Sequence, residues 1–379
     1  MFPAKTETTI ISPPDTTIML VVTFLVVLGL MAVFSAGAPK CIQWGQNPAS
    51  LLLKQLLGLI IGSFGLVYFS KYDYKKLSAW AVPFSWAVVF MLFLVDFTPL
   101  GQTTNGATRW INLGFMQFQP SEMAKPAVIM LLANAFYHDS NLFNEVKIKR
   151  YFLPILVIVG LVLKQPNLSM VILLGLVSVT MYWIAGGKIK RLILGGIAAI
   201  CAMIPFLHAY QLSRITIWLK PESDPLGAGY NIIQSLIAFA AGGLWGVGFG
   251  NSKQKLFWLP EGHTDFILAV IAEEFGFLGC VFIIALFITF LQRGLVIASR
   301  CNNMFGKLLA AGITFSIFVQ AFINMAVASS FMPATGVPLP FISYGVTSLV
   351  VSLCMVGVLL NISKKRIRKI KNDVVQRRR

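Results

Sequence analysis

Acidic residues are scarce in this sequence: 14 Asp and Glu stand among 379 residues, against 31 Lys and Arg. Histidine occurs three times, and charged residues of either sign make up only 12% of the chain. A soluble domain carries about twice that share, so a soluble globular class is excluded. Cysteine is also sparse. The five present (Cys41, Cys201, Cys280, Cys301, Cys354) show no C-x-x-C spacing, and only Cys41 falls in an expected outer loop. Neither a disulfide framework nor a zinc site is indicated. The basic residues lack interleaved aromatics and a nucleic-acid-binding motif, so the net charge of +17 does not point to DNA or RNA.

What the chain has instead is apolar length. Hydrophobic residues make up 57% of it, and the mean hydropathy is +0.77. Runs long enough to cross a hydrocarbon core, about 20 residues each, recur from end to end. They predict spans at 16–37, 51–69, 78–97, 121–137, 151–164, 168–185, 192–210, 264–290, 307–330 and 340–362. The fifth is short and is interrupted by Lys164-Gln165-Pro166. The run from Ile18 to Phe34 is too long for a signal peptide and lacks a small-residue cleavage site, so it reads as a retained first span.

Short cytoplasmic loops carry the Lys and Arg excess, which sets the orientation. With the N-terminus inside, the inner loops hold Lys71, Lys75, Lys76, Lys147, Lys149, Arg150, Lys188, Lys190, Arg191, Arg293, Arg300 and Lys307, and a basic tail follows. The outer side holds Lys40, Arg109, Lys164, Arg214, Lys220, Lys253 and Lys255. The expected fold is therefore an all-α integral membrane protein of about ten transmembrane helices with both termini cytoplasmic. Its parts are a cytoplasmic segment 1–15, a single membrane domain 16–362 and a basic tail 363–379, which can also meet anionic headgroups.

Two outer loops are long. In the first, 98–120, Arg109 beside Trp110 suits a membrane interface, either as ordinary anchoring or as a phosphate contact. Just beyond, Glu122 and Lys125 share one helix face at i,i+3, where they either neutralise each other or offer a cation to a lipid-linked pyrophosphate. The second loop, 211–263, contains "SLIAFAAGGLWGVGFG", apolar but broken by glycine, which predicts a re-entrant or interfacial segment. Irregular backbone at that depth is tolerated only when buried in protein or facing a watery cavity. The glycines form no P-loop, because no G-K-[ST] follows.

The end of that loop gathers Glu261, Asp265, Glu273 and Glu274 within the stretch "LPEGHTDFILAVIAEEFG". An ionisable group in a membrane segment is a functional candidate by default. Thr264 is the expected N-cap and Asp265 the first residue of the helix that follows. Glu273 and Glu274 would then lie roughly 12–14 Å deeper, turned about 80° and 180° from Asp265. They read as buried structural groups, paired or protonated. Asp265 reads as the reactive one, at the mouth, pulled toward the carboxylate by a helix N-terminus and toward the neutral acid by burial. His263 tunes it, holds a water, or packs at the interface.

The blocks "GATRWINLGFMQFQPSEMAK" (106–125), "DPLGAGYNIIQSLIAFAAGGLWGVGFGNSKQKLFWLPEGHTDFILAVIAEEFGFLG" (224–279) and "GVPLPFISYG" (336–345) resemble the SEDS family (shape, elongation, division and sporulation) over nearly the whole chain. "GNSKQKLFWLPE" is closer to its division and sporulation branch. The resemblance implies a ten-span peptidoglycan glycosyltransferase that polymerises lipid II at the outer face of the bacterial cytoplasmic membrane, at the division septum, beside a class B penicillin-binding protein and other division proteins. It implies Asp265 as the essential catalytic residue. Substrate-binding candidates in the matching blocks and loops are Arg109, Trp110, Gln119, Glu122, Lys125, Arg214, Gln234, Ser235 and His263.

The chemistry implied needs one base for the acceptor hydroxyl and cations for the departing pyrophosphate. Asp265 with Arg109, Lys125 and Arg214 supplies both, with or without a divalent cation such as Mg or Mn. The sequence departs from the family at Gln165-Pro166-Asn167-Leu168-Ser169, where Q-P-D-x-G is usual, and at Gly345-Val346-Thr347-Ser348, where Gly-Gly-Ser-Ser is frequent. The first departure argues against an ionic role at that motif. A lipid II flippase and a non-catalytic division scaffold are the alternative readings.

Overall fold

The computed structural model describes residues 7–11, 13–104, 107–112, 114, 116–137, 148–191, 194–196, 209–227, 229–364 and 366–370. Its helices are α1 (Thr16–Gln43), α2 (Ser50–Lys71), α3 (Leu77–Phe97), α4 (Pro120–Tyr137), α5 (Leu153–Lys164), α6 (Leu168–Ile184), α7 (Ala209–Leu219), α8 (Tyr230–Gly242), α9 (Ile267–Arg300), α10 (Met304–Ala328) and α11 (Val346–Ser363). Six segments among the described residues are long and apolar enough to cross a membrane: α1, α2, α3 with the turn before it, α9, α10 and α11. The expected span 192–210 lies almost wholly outside the described residues.

The helices form one bundle with α4, α10 and α11 at its centre, where nearly every side chain is buried. Around them, α2 packs on α11, α9 on α10 and α1, and α3 on α4 and α5. The outer face is apolar, with Leu53, Phe64, Trp80, Phe90, Phe282 and Ile288 exposed. A helix with no polar face is suited to lipid. The chain is a multi-pass membrane protein, with α2 seated on α11 through small residues. Added Cβ atoms at Gly58 and Gly62 would reach Val346 and Leu353 at 2.9 and 2.6 Å, the close approach that small residues permit between membrane helices.

Strands were not expected, and the structure has them. In the loop before α4, β2 (Gly101–Thr104), β3 (Ala107–Asn112) and β4 (Gln117–Phe118) form a three-stranded antiparallel sheet. The sequence between β2 and β3 is Asn105-Gly106, the pair most favoured in two-residue hairpins; the apolar runs beside it obscure that signal. At the termini, β1 (Glu7–Ile11) pairs antiparallel with β5 (Arg366–Ile370). Asp15, which caps α1 through the Ile18 N–H, also pairs with Arg293 of α9. Cys41 is a further correction: α1 runs on to Gln43, and Cys41 is buried within it rather than lying in a loop.

The glycine-rich segment after α8 supplies hydrogen bonds to a break in α9. Gly276 has φ 67° and ψ −167°, a region open essentially only to glycine. The break frees the carbonyls of Glu273 and Glu274 and the N–H groups of Phe277 and Leu278. Val247 and Gly248 donate to the two carbonyls at 2.9 and 3.0 Å, while Gly243 and Leu244 accept from the two N–H groups at 2.9 and 3.3 Å. Every backbone group released inside the bundle is therefore satisfied. Gly276→Ala puts a Cβ onto the Gly246 nitrogen. That substitution is expected to cost at least about 1–3 kcal/mol, read as a lowered thermal midpoint of the detergent-solubilised protein.

Candidate functional site

The turn 259–266 ahead of α9 carries the candidate carboxylate. Asp265 is not the first residue of the helix, and Thr264 is not its N-cap. The helix begins at Ile267 with Phe266 at the cap position, where no side chain caps it, and the Thr264 hydroxyl instead donates to the Glu261 carboxylate at 2.7 Å. Tertiary bonds hold the turn. The Tyr344 N–H donates to the His263 carbonyl at 3.0 Å, the Ser343 hydroxyl to the Thr264 carbonyl at 2.7 Å, and the Asn324 amide to the Asp265 carbonyl at 2.8 Å.

Arg109 is brought to the same place by a β-bulge. Gln102 pairs with Trp110 and Thr103 with Thr108, leaving Arg109 as the extra residue, and such bulges re-aim side chains. Its Nε donates to the Gln165 carbonyl at 2.8 Å and its Nη2 to the Pro166 carbonyl at 2.6 Å. A Cβ added to Gly336 would stand 3.7 Å from Arg109 Nη1 and 3.8 Å from Asp265 Oδ2. Gly336 therefore lies between guanidinium and carboxyl, within van der Waals reach of both. Asn167 caps α6 through the Met170 N–H at 3.3 Å. That task needs an oxygen but no charge, so asparagine serves where the family has aspartate.

Asp265 is partly accessible but densely surrounded by protein, and its pKa is pushed up to about 7. Burial is the main cause and the nearby Glu261 charge adds to it, while Arg214 and Arg109 pull the other way. Such a carboxyl exchanges a proton near neutral pH, which an aqueous aspartate does not. His263 is buried, and its pKa is pushed down to about 3 by burial and by the Lys40 charge. It is a neutral imidazole at the site, 6.1 Å from the Tyr344 ring.

The other candidates divide clearly. Arg214 donates to the Ala334 carbonyl at 2.9 Å and acts on Asp265 through its charge. Lys125 is fully buried, 2.6 Å from Glu122 Oε2 and 2.6 Å from Gln320 Oε1, so of the two roles considered for this pair the geometry favours mutual neutralisation. Ser235 is buried and donates to the Ala328 carbonyl at 2.6 Å, tying α8 to α10. Gln119 is buried, its backbone N–H donating to Thr347 Oγ1 at 3.1 Å, while Gln234 and Trp110 are half-buried.

Glu273 and Glu274 are buried and paired. Glu273 accepts from the Ser252 hydroxyl at 2.5 Å and from the Lys253 and Gln254 N–H groups at 2.9 and 3.2 Å; Glu274 binds Lys255 and Ser35. The residues that the motifs alone did not bring to the site are Glu261 as a charged neighbour, Gly336 and Asn324. An uncharged amide in an apolar helix was the available signal for Asn324.

No group of three or more His, Cys, Asp or Glu able to hold a metal occurs among the described residues. Among the described residues, Glu261 is the one acid acting on Asp265, with two guanidinium groups nearby, and oxygen-liganded divalent ions need a richer set. A cavity of about 380 Å³ between α2, α3, α4, α10 and α11 is apolar, lined by residues such as Trp80, Met123, Ile313 and Met355, and does not include Asp265.

The family model of the cell cycle proteins FtsW, RodA and SpoVE matches residues 15–368. The chain is 38% identical over 361 residues to a probable peptidoglycan glycosyltransferase FtsW of Geobacter sp. (strain M18), covering 93% of this chain and 97% of that one. It is 36% identical to stage V sporulation protein E of Bacillus subtilis (strain 168), covering 93% and 97%. In three dimensions it is similar to a chain solved in a study of how a peptidoglycan synthase complex coordinates polymerization and crosslinking, with TM-score 0.76, 29% identity, and 92% and 97% covered. The chain therefore belongs to the FtsW/RodA/SpoVE family of cell cycle proteins.

Proposed function

We propose that this protein is a peptidoglycan glycosyltransferase that polymerises lipid II, with Asp265 as the base. The observation that carries the reading is the pairing of one partly dried carboxyl with Arg109 across Gly336. The acceptor's GlcNAc 4-hydroxyl gives its proton to Asp265 as its oxygen attacks MurNAc C1 of the donor. The C1–O bond breaks with inversion, and undecaprenyl pyrophosphate leaves with the electron pair. A hydrolase needs a second carboxyl to protonate a poor leaving group; pyrophosphate needs only cations near its developing charge. Arg109 and Arg214, whose charges both act on Asp265, are the cations this reading assigns to that charge.

The ten-span arrangement with both ends cytoplasmic and a membrane domain over 16–362 belongs to this reading. The pairing of β1 with β5, which puts the termini on one side, supports it. A septal location, and work beside a class B penicillin-binding protein and other division proteins, belong to the same reading, and the synthase complex whose chain this one resembles supports the transpeptidase partner.

Purified protein supplied with labelled lipid II in detergent, and in sealed vesicles, tests the reading. Glycan oligomers are the expected product, with and without the cognate transpeptidase compared. Movement of lipid II between leaflets without oligomers would identify a flippase, and neither outcome, even with the transpeptidase present, would identify a scaffold.

A further inference from the structure

Helix α10 presents two amides one turn apart, Gln320 and Asn324, toward the segment 336–345. Residues at i and i+4 share a helix face. Asn324 is 1% exposed and uses both hydrogens of one nitrogen: Nδ2 donates to the Asp265 carbonyl at 2.8 Å and to the Val337 carbonyl at 2.8 Å. Gln320 donates to the Pro338 carbonyl at 2.9 Å and accepts from Lys125 at 2.6 Å. The neighbouring bond from Ser343 to the Thr264 carbonyl completes a cradle, and the same hydroxyl accepts from the Leu339 N–H at 2.8 Å.

We infer that Asn324 is a positioning residue for the transferase reaction, clamping the backbone of Asp265 to the segment that carries Gly336 and so fixing the gap between the carboxyl and Arg109. The inference rests on the function proposed above. The side chain suits the task. Only a primary amide of this length offers two neutral donors from one atom, and a carboxylate in its place would turn oxygens toward two carbonyls. Carboxyl and guanidinium are carried on separate elements, the turn before α9 and strand β3; the guanidinium is held by the Gln165 and Pro166 carbonyls, and the carboxyl is placed through its own backbone, whose carbonyl accepts from Asn324. A misplacement of about 1 Å at such a site can cost on the order of 10²-fold in rate.

The test is steady-state polymerisation of lipid II by the full-length Asn324→Leu protein across pH 5 to 9, beside wild type and Asp265→Asn. A fall in kcat on the order of 10²-fold is expected, with KM nearly unchanged. The acid limb of kcat should also move to lower pH. The charged groups acting on Asp265 are Glu261 of its own turn, Arg109 of β3 and Arg214 of α7, with the Glu122–Lys125 pair joined to the cradle through Gln320. The residues all persist in the variant, and because burial is the largest of the effects on Asp265 and Arg109 the smallest, the water admitted when the turn loosens outweighs a wider gap to Arg109 and sets the direction of the shift. If Asn324→Leu fails to fold, Ser343→Ala removes the adjoining bond and is expected to move the acid limb in the same direction with a smaller loss of kcat. An unmoved acid limb in the variant that folds overturns the inference, whether or not kcat falls. Activity retained by Asp265→Asn would instead overturn the parent reading.

Discussion

Asp265→Asn is expected to lose polymerisation by at least about 10²–10⁴-fold, the usual contribution of a general base, while remaining folded in the membrane. The substitution keeps the shape of the side chain and removes its ability to take a proton. Folding should not suffer, and the sign of the linkage says so. Burial pushes the carboxyl's pKa up to about 7 in the folded protein, against 3.8 ordinarily. Between those values the folded state binds more protons than the unfolded state, so stability falls as pH rises through that window and the penalty is complete above about 7. Asparagine removes the penalty. The thermal midpoint of the variant at pH 8 should equal or exceed that of wild type, which separates lost chemistry from lost structure. Turnover within a few-fold of wild type would exclude Asp265 as the base.

Lys125→Met should be among the most destabilising single changes in the molecule. Removing one partner of a buried ion pair typically costs about 3–5 kcal/mol, because the other charge is left uncompensated, whereas replacing both is often neutral. Here Glu122 is 1% exposed and Gln320 would also lose its donor. The double variant Glu122→Gln with Lys125→Met is therefore expected to recover most of the stability, measured by thermal midpoints in detergent, and to polymerise within about tenfold of wild type. The two variants together form most of a double-mutant cycle. A stable but inactive double variant would mean that Lys125 touches the pyrophosphate after all, and the burial seen here would then be a resting arrangement.

Much of the site was legible in the sequence because its costs are local. A carboxylate among apolar residues stands out wherever it lies, but the helix angles expected between Asp265 and the pair Glu273 and Glu274 do not apply, because Asp265 lies in the turn before α9. The pairing of Glu122 with Lys125 was legible because it is local, being an i,i+3 contact. What was not legible is set by distant residues. The start of α9 slips from Asp265 to Ile267 because bonds from 343–344 and Asn324 hold residues 263–265 in a turn. No local propensity encodes those partners. Arg109 reads as an interface anchor until the hairpin is seen, since its direction comes from a one-residue bulge. The break at Gly276 was hidden because a lone glycine in an apolar run is usually tolerated within a helix; its meaning depends on the 243–248 segment that supplies the missing bonds.

The central claim is that Asp265 is dried enough by its surroundings to work as a base near neutrality, and the most direct measurement is kcat/KM of the wild-type enzyme for lipid II as a function of pH. The account predicts an acid limb that rises about tenfold per pH unit and levels off near pH 7, because the ionised carboxylate is the active form and its pKa in the substrate-free protein is pushed up to about 7. A profile that is flat from pH 5 to 8 would contradict it.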